Sequence, residues 1–167
     1  RSFLIDAGAT QFAYCADITR TYAAQEGEFA DLVDALDESQ QRMAAGMRAG
    51  EDYRERHLDA HQEIATLLER FGIIRVGAEE ALATGLSGVF FPHGLGHFLG
   101  LQTHDVAGLF ADPEGHEIPR PRGHPFLRLT RTLEPGNVLT VEPGIYFIPS
   151  LLERWKKRGN GATVNWD

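Results

Sequence analysis

The chain has 167 residues, 43% hydrophobic and 24% charged, which is ordinary for one globular domain with a real core. Its formal net charge of -8 repels phosphate backbones and anionic lipid, arguing against nucleic acid or a membrane surface as partner. The single Cys15 excludes an internal disulfide framework and a cysteine-rich zinc site, and no apolar run reaches the roughly 18–20 residues that cross a bilayer, so a reducing, cytoplasmic setting is expected.

The opening Arg1-Ser2-Phe3-Leu4-Ile5 has neither an initiator Met nor a signal-peptide layout, and it predicts an excerpt of something longer. Ser2 to Gly8 and Phe12 to Thr19 are rich in β-branched and aromatic residues and predict a β-hairpin. From Glu28 the apolar positions Phe29, Leu32, Val33, Leu36, Met43 and Met47 recur at helical intervals, with Asp31, Asp34, Asp37 and Glu38 opposite, predicting an amphipathic helix that ends near Gly50. A second helix carries Leu58, His61, Ile64, Ala65 and Leu68 on one stripe, with Gly72 as its cap. The stretch from Gly85 to Gly108 is dense in Gly and His, and Ala111 to Pro125 is loop chemistry. Leu133 to Asn137 makes a turn into a predicted strand, Val138 to Glu142, closed by Pro143-Gly144 and followed by Ile145 to Ile148. The order predicts one α+β domain, with helices covering one face of a largely antiparallel sheet.

Asp6 and Asp17 each end a run that is otherwise apolar, and a hairpin would bring them near one another. A strand carboxylate must be exposed, paired or bound to a cation; pairing of Asp17 with Arg20, or Asp6 capping a turn, is the structural alternative. His93, His97 and His104 are interleaved with Gly94, Gly96 and Gly100, which predicts backbone passing close to a ligand while imidazoles converge. The spacing differs from the helical pattern of zinc proteases, which favours an oxygen-rich site with one imidazole. His57, His61, His116 and His124 are expected to be ordinary core or surface residues. Glu142 closes an apolar strand, and either solvent exposure or a ligand role fits it. Arg128 is either a surface strand residue or a forked clamp for a carboxylate.

Leu4-Ile5-Asp6-Ala7-Gly8, Tyr14 through Thr21, His93 through Asp105 and Leu139 through Phe147 occur in this order. Together they resemble the pita-bread or creatinase-fold metallopeptidases, and within them the bacterial Xaa-Pro dipeptidases with their organophosphorus acid anhydrolase relatives. The resemblance covers essentially the whole chain, down to Asn165-Trp166-Asp167. It implies two divalent metals, commonly manganese, with Asp6 on one, Asp17 bridging both, and His97 and Glu142 on the other. It further implies that His93 lines the substrate pocket and that His104 hydrogen-bonds the scissile carbonyl or the tetrahedral intermediate; for the proton passed to the proline nitrogen, Glu142 or the family's fifth-ligand Glu is the candidate carrier. Arg128, fourteen residues before Glu142, would engage the C-terminal carboxylate of a dipeptide ending in proline. The implied assembly is a homodimer, and organophosphate triester hydrolysis is an implied side activity.

The family's fifth ligand, a bridging Glu in a later strand, has no counterpart here, and Glu153 sits in a polar segment unsuited to the role. The expectation is therefore a partial catalytic domain, residues 1–167, without the amino-terminal domain and final strands, and inactive on its own. A metal-free creatinase-like binding module is the alternative from a different functional class.

Overall fold

The computed structural model describes residues 2–167. Its first elements, from Ser2 to Ala23, form a β-ribbon. Strand β1 (Ser2–Ala7) pairs antiparallel with β4 (Ile18–Ala23), and inside them β2 (Thr10–Gln11) pairs with β3 (Tyr14–Cys15). The two-residue tip, Phe12 and Ala13, has positive φ at both positions (51° and 67°), the conformation whose twist matches a two-residue hairpin. A Cβ at Gly8 would collide with the Ala16 carbonyl, so this glycine lets the chains approach where β1 gives way to β2. The predicted hairpin is thus two nested pairs, and Asp17 lies in the break between β3 and β4.

Helix α1 (Glu28–Gly46) buries Leu32, Ala35 and Ser39, while Phe29 stays exposed. The apolar stripe read from the sequence is therefore shifted toward a small polar contact, with Ser39 Oγ donating to Glu63 at 3.0 Å. Helix α2 (Tyr53–Arg70) starts earlier than the stripe suggests, because Asp52 accepts a hydrogen bond from the Arg54 amide and caps it. Gly72 adopts φ +64° just beyond its end, as a helix stop requires. Two short helices follow, α3 (Ala78–Thr84) in a segment for which the sequence suggested no element and α4 (Ser87–Phe90) at the start of the Gly- and His-dense stretch, and α5 (Pro149–Trp155) begins with proline in its first turn.

The core gathers on α2. Tyr53, Ile64 and Leu68 pack with Phe90, Leu95 and Leu129, all fully buried. The expected strand Val138–Glu142 is present only as a bridge between Phe98 and Leu139. Even so, Leu99 donates to Val138, Thr140 to His97 and Glu142 to Leu95, an antiparallel register shared by all three bonds. Pro143, which has no N–H, follows the last bond. Ile145 to Ile148 is not a strand; its Tyr146 amide donates to Phe90.

Candidate metal centre

Backbone pairing between 95–99 and 138–142 places His97 beside Glu142. His97 is held at its main chain by the Thr140 hydroxyl, which accepts the His97 amide proton at 3.0 Å. The glycines flanking this run serve the protein's own packing, contrary to the expectation of close approach to a ligand. A Cβ at Gly96 would collide with the Thr140 carbonyl and stand 2.6 Å from the Tyr53 hydroxyl; at Gly94 it would lie 2.7 Å from Leu127 Cα. The ribbon then delivers Asp17. The Cys15 amide donates to the Gly100 carbonyl at 2.9 Å, tying the ribbon to the loop that follows His97.

The result is three acceptors facing one another. His97 Nδ1 donates to the Phe98 carbonyl at 3.0 Å, so in the neutral ring, the form that binds a metal, Nε2 carries the lone pair. That Nε2 lies 3.1 Å from Glu142 Oε1 and 3.3 Å from Asp17 Oδ2. The His97–Glu142 approach is short but misdirected, so both His97 Nε2 and Glu142 Oε1 are buried with no hydrogen-bond partner among the described residues. Orphaned acceptors of this kind are costly, and a cation between them would satisfy all three. The donor set, one imidazole nitrogen with carboxylate oxygens, suits a divalent ion. His104 joins from the loop side. Its ring centroid is 4.3 Å from that of His97, and ligand atoms of Asp17, His97 and His104 lie within 4.8 Å of one another.

The electrostatics follow from this crowding. Burial opposes the imidazolium form of His97, but the Glu142 carboxylate, the Phe98 carbonyl and the Asp17 charge outweigh it and raise its pKa. Burial would raise Glu142, yet His97 and Thr140 hold it below the usual carboxylate range. Burial, then the positive neighbours His97 and Arg128, lower His104, which stays neutral more readily than a free histidine.

Asp6 stands exposed on β1, opposite Thr19 and two residues along from Asp17. Among the described residues no hydrogen bond or ion pair joins it to the other carboxylates. Its charge, after burial and Glu142, helps to push up the Tyr146 phenol. That phenol, kept protonated, meets His93 Nε2 at 3.0 Å, while His93 Nδ1 donates to the Gly94 carbonyl. Arg128 is exposed and within electrostatic reach of His104. A cavity of about 860 Å³ opens elsewhere, and of the site residues it is lined by His93 alone. Sequence reasoning passed over Thr140 and Tyr146; a hydroxyl inside an otherwise apolar strand was the available signal for Thr140.

The model of metallopeptidase family M24 matches residues 1–166. The chain is 60% identical over 168 residues to an Xaa-Pro dipeptidase of Xanthomonas campestris pv. campestris (strain 8004), covering 100% of this chain and 38% of the relative. It is 56% identical over 168 residues to the Xaa-Pro dipeptidase of Stenotrophomonas maltophilia (strain K279a), again covering 38% of that relative. The chain therefore spans well under half the length of these relatives. Zinc-substituted Escherichia coli aminopeptidase P in complex with product superposes with a TM-score of 0.72 at 33% identity, over 90% of this chain and 31% of that one. The low-pH form of the same enzyme gives the same values. With its α+β pita-bread fold and this match over nearly all its residues, the chain belongs to metallopeptidase family M24.

Proposed function

We propose that this chain is part of the catalytic domain of a dinuclear-metal Xaa-Pro dipeptidase. The observation that carries the reading is the pair of buried, partnerless acceptors, His97 Nε2 and Glu142 Oε1, with Asp17 alongside. Asp17 would bridge two cations, His97 and Glu142 would hold one and Asp6 the other, with manganese as the native ion. Such cations supply Lewis acidity toward the scissile carbonyl and toward water when bound.

The chain's own groups account for the remaining chemistry. The imino nitrogen of an Xaa-Pro bond has no N–H, so strand-type recognition of the scissile amide fails and the substrate must be held by its ends. Arg128 would take the C-terminal carboxylate, favouring dipeptides over longer chains. His104, neutral and beside His97, would donate to the oxygen of the attacked carbonyl. Glu142 would accept the proton of the attacking water and pass it to the proline nitrogen as the C–N bond breaks. His93, with Nε2 engaged by Tyr146 and Nδ1 by Gly94, offers the proline ring a surface to pack against. The reading includes a homodimer in the cytoplasm and a lesser activity on organophosphate triesters.

Hydrolysis of an Xaa-Pro dipeptide and of Xaa-Pro-Xaa by the intact protein, with and without manganese, tests this. Metal-dependent cleavage of the dipeptide alone is the expected result. Cleavage of neither, with any divalent ion, would leave a binding module.

A further inference from the structure

A second cluster of imidazoles lies outside the candidate centre. His57 and His61 project one turn apart from the buried face of α2, and His124 meets them from the loop before Pro125. The three rings stand 4.5–4.7 Å apart, and their ligand atoms fall within 4.8 Å of one another. Three histidines so close have the makings of a metal site, but the hydrogen bonds point the other way. The Leu95 amide donates to His57 Nδ1 at 3.2 Å, so Nδ1 carries a lone pair and Nε2 the proton. That Nε2–H donates to His124 Nδ1 at 2.9 Å. A cation on His57 Nε2 would require a proton on Nδ1, aimed at the Leu95 N–H, or an imidazolate. His61 Nδ1 is meanwhile engaged by Ser87 Oγ at 3.1 Å. His57 thus has a particular partner in the Leu95 amide.

Leu95 is fully buried and two residues before His97. Its amide is taken by His57, and its carbonyl accepts the backbone N–H of Glu142 at 2.7 Å. One residue therefore spans from α2 to the main chains of both His97 and Glu142. Burial, then the neighbouring His61, His124 and His93, push His57 down to about 3, so its acceptor is present at any working pH.

We propose that His57, held in its Nε2–H tautomer by His124, is a positioning residue that fixes Leu95 and through it the spacing of His97 and Glu142. This rests on the metal centre proposed above. The test uses the intact protein and manganese ion alone as probe. His57→Asn keeps an acceptor, Oδ1, where Nδ1 stood and loses the contact with His124; His57→Phe keeps the bulk and loses the acceptor.

The expected result is faster hydrogen exchange at the Leu95 amide and about tenfold or more weaker manganese binding in His57→Phe. His57→Asn should recover most of both, although both variants melt below the parent. Equal losses in the two variants, or undiminished affinity in His57→Phe, would overturn the proposal. If His57→Phe does not fold, imidazole nitrogen NMR on the parent decides: a proton on His57 Nδ1, or a shift of His57 on adding zinc, overturns it. The tautomer and the Leu95 exchange are read without turnover. A failure of the dipeptidase reading, seen as a parent that neither binds manganese nor cleaves substrate, is thereby told apart from a failure of the positioning role.

Discussion

The ribbon and the helical body contribute to the same centre by different means. In the ribbon, Phe3, Leu4, Ile5, Ile18 and Tyr22 are all exposed, and the backbone ladder with its tight tip gives it shape. In the body, His97 and Glu142 ride on segments whose backbone bonds, glycine contacts and buried neighbours fix them from several sides. Asp17 reaches the body at a seam marked by the Cys15–Gly100 bond. A ligand on the ribbon should therefore be removable without loss of fold, whereas the body couples ligand placement to stability.

The largest contrast comes from Asp17→Ala. Metal-dependent turnover of the intact protein should fall by more than about 100-fold, beyond what outer contacts typically cost, with stability unchanged within about 0.5 kcal/mol. Parallel rate and urea-unfolding measurements check it, and a large loss of stability would break the contrast. Gly96→Ala should do the opposite, because its Cβ meets backbone that cannot give way. A destabilisation of about 1–3 kcal/mol is expected, together with lost activity.

A smaller effect concerns pH. His57 and His61 are pushed down to about 3, chiefly by burial, from an ordinary value of 6.5. Between those values the unfolded chain binds protons that the folded chain refuses, so the stability they contribute is complete above pH 6.5 and declines as pH falls. The steep part of the decline is about 1.4 kcal/mol per histidine per pH unit. Urea midpoints at successive pH values should show it, less steeply in His61→Gln and unaltered by substitutions in the ribbon. The smallest effect sits at the tip, where replacing Phe12-Ala13 by Asn-Gly relieves two positive-φ residues. A gain of about 0.4–1 kcal/mol in thermal unfolding is expected, with turnover untouched.

The body's regular elements were legible where periodicity was long: α1 and α2 follow from their apolar stripes, and Gly72 from helix-stop chemistry. The short helices α3 and α4 were not, since four to seven residues carry too little periodicity to distinguish from a loop. The strand read at Val138–Glu142 exists as a hydrogen-bonded register that the neighbouring prolines and glycines keep brief. At the centre, the residue types that converge on His97 were visible in the sequence as Asp17, His104 and Glu142. What the sequence could not carry is direction: that His97 presents Nε2, that Thr140 holds its main chain, and that the interleaved glycines accommodate protein backbone. The Thr140 contact joins residues 43 positions apart, and the direction of the His97 ring is set by a carbonyl, that of Phe98, which any residue at that position would carry.

The most direct test is anomalous diffraction from manganese-soaked crystals of the intact protein. The account predicts a peak bonded to Asp17, His97 Nε2 and Glu142 together, joining ribbon to body, and none at His57. A peak among His57, His61 and His124, or none beside His97, would contradict it.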